Sequence, residues 1–207
     1  MSVMLDILIS AIMGGMLLLN IISAQSIVTE NTSMYNGDVL VQEMLIRQAQ
    51  LIEGDIRNMG YGVPQDSVVV LDARDTTMTF LIDADRSGTI DTIKYFTGPV
   101  SELSATQNEM DRYLHRVIKK TSGTSEILIG VVTFFRLRYM PIADSAFVTP
   151  VSAANRGRIK DVEVSMEVQN PYALYRPPGM VVTGERNALY STSYWQQTRL
   201  ASQNFRR

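Results

Sequence analysis

The chain has 207 residues and a net charge of −2, enough for one ordinary domain beyond any targeting segment, and no global positive field to recruit nucleic acid. It has no cysteine and a single histidine. Disulfides, thiolate metal sites and cysteine nucleophiles are excluded, and histidine-based metal or acid–base machinery has little to work with.

Residues 3–28 read VMLDILISAIMGGMLLLNIISAQSIV, and between Ile7 and Val28 there is no charge. A run of that length is expected to form a helix able to cross a bilayer, which takes about 20 residues. No Lys or Arg precedes Arg47 and the apolar run exceeds a signal core, so the segment is expected to be retained. Beyond a polar stretch at 29–38, Val41, Leu45, Ala49, Ile52, Ile56 and Met59 recur at three- and four-residue steps and form one apolar stripe. Glu43 and Arg47 stand four apart in the favourable order. The reading is one helix over 3–59, with Gly14-Gly15 and Asn36-Gly37 as the points of loosening. Gly60, Gly62 and Pro64 supply its stop.

From Pro64 onward the period changes to two. Strands are expected at 68–71, 76–82, 89–96, 112–119, 127–132 and 133–140, a short helix at 151–159, and strands at 160–168 and within the ALYSTSYWQQTRL tail. The segments 98–107, 141–150 and 171–179 read as loop. The expected fold is α+β: a long N-terminal apolar helix packed on an antiparallel sheet. Residues 1–28 form the apolar helix, 29–63 its amphipathic continuation and 64–207 a β-rich head.

One hairpin carries a chemical signal. Asp83, Asp85, Ser87 and Asp91 form D-x-D-x-S-G-x-x-D around Gly88. Carboxylates two apart converge on a hard cation, as in the first half of a calcium loop, but Lys94 stands where the closing acid belongs. Two readings stay open: a structural calcium site, with Glu102 or Glu109 as a further ligand, or a metal-free turn of the residues such turns favour. Glu53, Asp55 and Arg57 read as a solvated or salt-bridged helix face. His115 reads as a surface or partly buried strand residue. In FFRLRYM (134–140), alternation puts Phe135, Leu137 and Tyr139 on one face and Arg136 and Arg138 on the other, so sheet packing explains it without nucleic acid. Trp195, Tyr190 and Tyr194 read as sheet packing or a subunit contact, and Tyr61, Tyr172 and Tyr175 as further contact candidates. No nucleophile–base set appears, so no enzyme is expected.

The apolar helix with its early acid Asp6, the run LIEGDIRNMGYGVP (51–64), the hairpin FLIDADRSGTIDTIKYF and the ending YWQQTRL together resemble the type IV pilin superfamily, in particular its minor pilin W and minor pseudopilin J families. The resemblance implies a non-enzymatic subunit that waits in the inner membrane and then stacks, with identical or related subunits, into an extracellular or periplasm-spanning filament. Ile7, Leu8, Ile12, Leu17, Leu19 and Ile22 would form the assembly surface. It implies that Asp6 pairs with the amino terminus of a neighbour; the residues alone leave open that Asp6 sits at the headgroup level. A minor, tip-located subunit and a membrane-anchored domain that never polymerises are the other classes. The chain departs from the family at its start, where Met1 stands in place of the expected Gly and no basic leader precedes it. Either only the initiator Met is removed, or the true start lies upstream.

Overall fold

The computed structural model describes residues 2–103, 106, 108, 110–141, 145–170, 193–202 and 204. Helix α1 runs unbroken from Ser2 to Asn58, 57 residues, or about 85 Å at 1.5 Å per residue. Neither Gly14-Gly15 nor Asn36-Gly37 loosens it. Gly37 has a different purpose. A Cβ there would stand 2.6 Å from the Asn170 side chain, so glycine is what lets the sheet approach the helix.

The predicted stripe is the buried face: Val41, Leu45, Ala49, Ile52, Ile56 and Met59 are all buried, while Glu43 and Arg47 pair across the outer face. The helix ends as its glycines require. Gly60 and Gly62 take positive φ of 81° and 74°, and Gly60 donates its N–H to Leu81. Its last carbonyls are capped from the far end of the chain. Ser202 Oγ donates to the Met59 carbonyl at 2.6 Å, and Asn204 Nδ2 reaches those of Asn58 and Met59.

The head contains two antiparallel sheets where one is expected from the sequence. The first has the order β1 (Val70–Ala73), β2 (Thr77–Ile82), β3 (Asp91–Thr97), β4 (Arg112–Lys120) and β5 (Gly123–Val132). The second comprises β6 (Phe134–Met140), β7 (Asp161–Gln169) and β8 (Ser193–Ala201). The division falls at Thr133, the single residue between β5 and β6. Its N–H and its hydroxyl both bond the Glu167 carbonyl, which turns the chain out of the first sheet. Strands that switch sheets at a bend are how such corners are made. A tight turn joins β4 and β5, with Lys120 already paired to Gly123. The loop at 98–107 includes a 3-10 turn, Val100–Leu103, and the short helix is α2, Ala153–Arg156.

Both sheets turn an apolar face inward. Met78, Phe80, Ile82, Ile93 and Leu114 come from the first, and Phe135, Leu137, Tyr139, Val162 and Val164 from the second. The expected alternation in β6 is observed, with Arg136 and Arg138 exposed and Arg138 facing Glu163. Ile56 sits in the middle of this core at 1% exposure, whereas Ile46 on the outer helix face is half exposed. Urea unfolding of Ile56→Ala is therefore expected to show a loss of about 2–5 kcal/mol. Ile46→Ala should stay within about 0.5 kcal/mol.

Candidate functional site

Two regions carry the sequence-level candidates: the free arm of α1 and the hairpin between β2 and β3. The arm is exposed along its whole apolar length. Ile7, Leu8, Leu17 and Leu19 each keep over 60% of their surface, and Ile12 and Ile22 about half. At roughly 100° per residue, Leu8, Ile12, Leu19 and Ile22 share one side of the helix while Leu17 faces away. The arm is thus apolar all round, which is the pattern of a helix buried on every side. It is long and apolar enough to cross a membrane, and none of that stretch is buried by the head. Asp6 is the one charge near its tip.

The lower half of α1 is tied to the head at intervals. Asn170 Nδ2 donates to the Met34 carbonyl at 3.1 Å and to Asp38 Oδ1 at 2.6 Å. Gln48 Nε2 donates to the Val131 carbonyl at 3.4 Å, through space that only a glycine at 130 leaves open. Near the end of the helix, Asp55 accepts two bonds from Arg116, at 2.7 and 3.0 Å, and a third from the Tyr95 hydroxyl. Burial works to lower the Arg116 pKa, but hydrogen bonding to Asp55 and its charge prevail and hold it above the usual value. Burial, then the Asp55 charge, push the Tyr95 hydroxyl up, so it remains a donor.

Sequence reasoning misses this cluster. It places Asp55 on a solvated or salt-bridged helix face; Asp55 is salt-bridged, but nearly buried and to a residue 61 positions away. The available signal is Arg116 itself. It shares strand parity with Leu114 and Ile118, a charge in an apolar row. Glu53, near Asp55 on the helix, does form the expected local pair, with Arg57 at 2.6 Å.

In the hairpin, both Asp83 oxygens accept backbone N–H groups, from Ser87 and Gly88, at 3.0 Å each. Asp85 accepts the Ser87 N–H at 3.2 Å and Lys120 Nζ at 2.7 Å. The Lys120 bond pushes the Asp85 carboxyl down to about 2. The Ser87 and Thr89 hydroxyls lie 2.6 Å apart, and the Arg86 guanidinium lies over the Tyr61 ring, 5.8 Å from its centre. Asp91 is 1% exposed, and neither of its oxygens has a hydrogen-bond partner. Among the described residues, no three acidic or histidine side chains stand at metal-ligand spacing.

Glu102 does not reach this loop. Its carboxylate lies 3.2 Å from His115 Nε2, while Glu126 lies 2.7 Å from Nδ1. His115 is buried between them and stacks on Phe96 at 4.6 Å. Glu109, Tyr172, Tyr175 and Tyr190 lie outside the described residues. Tyr194 and Trp195 hold strand positions on β8, opposite Val168 and Glu167.

No protein-family model matches the chain, and no curated protein matches it. Among solved structures it is similar to a type IV-like pilin from Thermus thermophilus, over 79% of this chain and 97% of that one, at 10% identity and a TM-score of 0.43.

Proposed function

We propose that the chain is a structural subunit of the type IV pilin superfamily, held in the inner membrane by α1 and assembling through that helix into a filament. One observation carries the reading. A helix that is apolar on all sides stands clear of the head, with none of its apolar window buried. Such a surface is stable only in a bilayer or among other apolar helices. Each Leu or Ile side chain that leaves water contributes about 1.5–3 kcal/mol, so several neighbours per arm make a durable polymer.

Asp6 supports the same reading. An ionised carboxylate within packed apolar helices needs a cation. Residues 1–46 contain no Lys or Arg, so none of their side chains supplies one. The amino terminus of an adjacent subunit is the partner that the sequence resemblance implies.

The test is electron microscopy and mass spectrometry of filaments sheared from cells, for wild type and Asp6→Lys. The wild-type chain is expected as a filament component, and Asp6→Lys as a folded, membrane-bound protein that leaves filaments at least tenfold depleted in it. A chain found only in trace amounts supports the minor, tip-located reading. A chain absent from filaments and monomeric in the membrane overturns assembly and leaves an anchored domain.

A further inference from the structure

The hairpin between β2 and β3 carries more negative charge than its contacts neutralise. Asp83, Asp85 and Asp91 gather there, and Lys120 is the cation that meets them, touching Asp85 alone. On the neighbouring strand Thr92 pairs with Lys119, which sets Asp91 beside Lys120 at the same end of the hairpin. Three carboxylates against one lysine leave the hairpin with an excess of negative charge, and a divalent cation in place of Lys120 would meet all three.

Asp91 is the observation that a plain turn does not explain. A metal-free hairpin rich in Asp, Ser and Gly accounts for Asp83 and Asp85, whose oxygens cap the N–H groups of the loop. It gives no reason for a carboxylate at the root of β3, opposite Ile82, that is 1% exposed and lacks a partner on either oxygen. Buried carboxylates are ordinarily hydrogen-bonded, paired or bound to a metal. Asp91 also occupies the last acidic place in the D-x-D-x-S-G-x-x-D spacing.

We infer that the 83–91 hairpin binds calcium, with the carboxylates of Asp83, Asp85 and Asp91 and the hydroxyl of Ser87 as ligands and Lys120 as the cation that calcium displaces. Asp83 can serve while still accepting its two backbone N–H groups, because a carboxylate offers about four lone-pair sites. Asp85 is drawn toward Lys120, and its side chain is 43% exposed, free to turn to an ion. The three carboxylates do not stand at ligand spacing as they are, so binding requires the side chains to draw together, with Asp85 leaving Lys120. An all-oxygen set on a loop suits calcium better than magnesium, which demands a rigid octahedron. The site does not depend on whether the chain polymerises.

The test is thermal unfolding and calorimetric titration of the full chain in detergent, with calcium chloride, magnesium chloride or chelator. Calcium at saturation is expected to raise Tm by roughly 4–10 °C. Lys120→Gln should enlarge the shift and Asp91→Asn should abolish it. Should Asp91→Asn fail to fold, Asp85→Asn, at an exposed position, is expected to weaken binding at least tenfold. No shift in the wild type, an undiminished shift in the aspartate variants, or an equal response to magnesium overturns the assignment. So does a response confined to Lys120→Gln, because lysine is then the permanent occupant.

Discussion

Arg116→Met is expected to be among the most damaging single changes in the head, costing about 3–5 kcal/mol, because it strands Asp55 as a buried unpaired charge. The two side chains are 11% and 15% exposed, so water can do little to replace the lost partner. Exposed pairs behave differently. The Glu43–Arg47 pair, with 52% and 76% exposure, should be worth under about 1 kcal/mol. Tyr95 adds to the contrast, since its hydroxyl also donates to Asp55. Tyr95→Phe alone is expected to cost about 1.5–3 kcal/mol, the range for a bond to a charged group. The decisive variant is the triple Asp55→Leu, Tyr95→Phe, Arg116→Met, which removes every polar member together. It should recover most of the stability, since buried ionic groups replaced by apolar ones of similar size are often neutral. Urea unfolding of single, double and triple variants measures this. A single-variant cost below about 1 kcal/mol would refute the buried-pair account.

Gly37→Ala comes next, and two effects of opposite sign decide it. Alanine favours the helix over glycine by up to about 1 kcal/mol. Against that, the new methyl would lie 2.6 Å from the amide of Asn170, which is fully buried and holds both Met34 and Asp38. Displacing that amide leaves buried polar groups unmet, at about 1–3 kcal/mol for each one. The net expectation is a loss of about 1–3 kcal/mol by urea unfolding, with the helix itself intact by circular dichroism. Gly54 is the control. It lies in the same helix with nothing within 4 Å of a built Cβ, so Gly54→Ala should stabilise by up to about 1 kcal/mol. If both glycine variants stabilise, the close contact at Gly37 is wrong.

Residue patterns with a short period are legible in the sequence. The helix is visible from Val41, Leu45, Ile52 and Ile56, because apolar residues at that spacing line up only on a 3.6-residue turn. β6 is visible from the alternation of Phe135, Leu137 and Tyr139. The switch at Thr133 is not, because apolar residues continue through 127–140 with no Pro and no Gly at the corner; the bend is made by two bonds to a residue on β7. Gly37 is ambiguous for a related reason. A glycine in a helix signals weakness and close packing by the same letter, and only Asn170, 133 residues on, distinguishes them. Asp55 and Arg116 likewise become a pair only after the helix lies on the sheet. Asp91 stands out by its spacing, but its burial depends on the packing of the whole hairpin root.

The attachments at Met34–Asp38, Gln48, Asp55 and Met59 are spread over about 38 Å of helix length at 1.5 Å per residue. A pull on the free arm along its axis loads them in shear, all at once. Rupture then requires several ties to fail together, along with the apolar stripe between them. A sideways pull would instead peel them in sequence, beginning at Asn170. A subunit built in this way resists tension along the helix far better than torque across it, and the first tie to yield under bending is the contact that Gly37 makes room for.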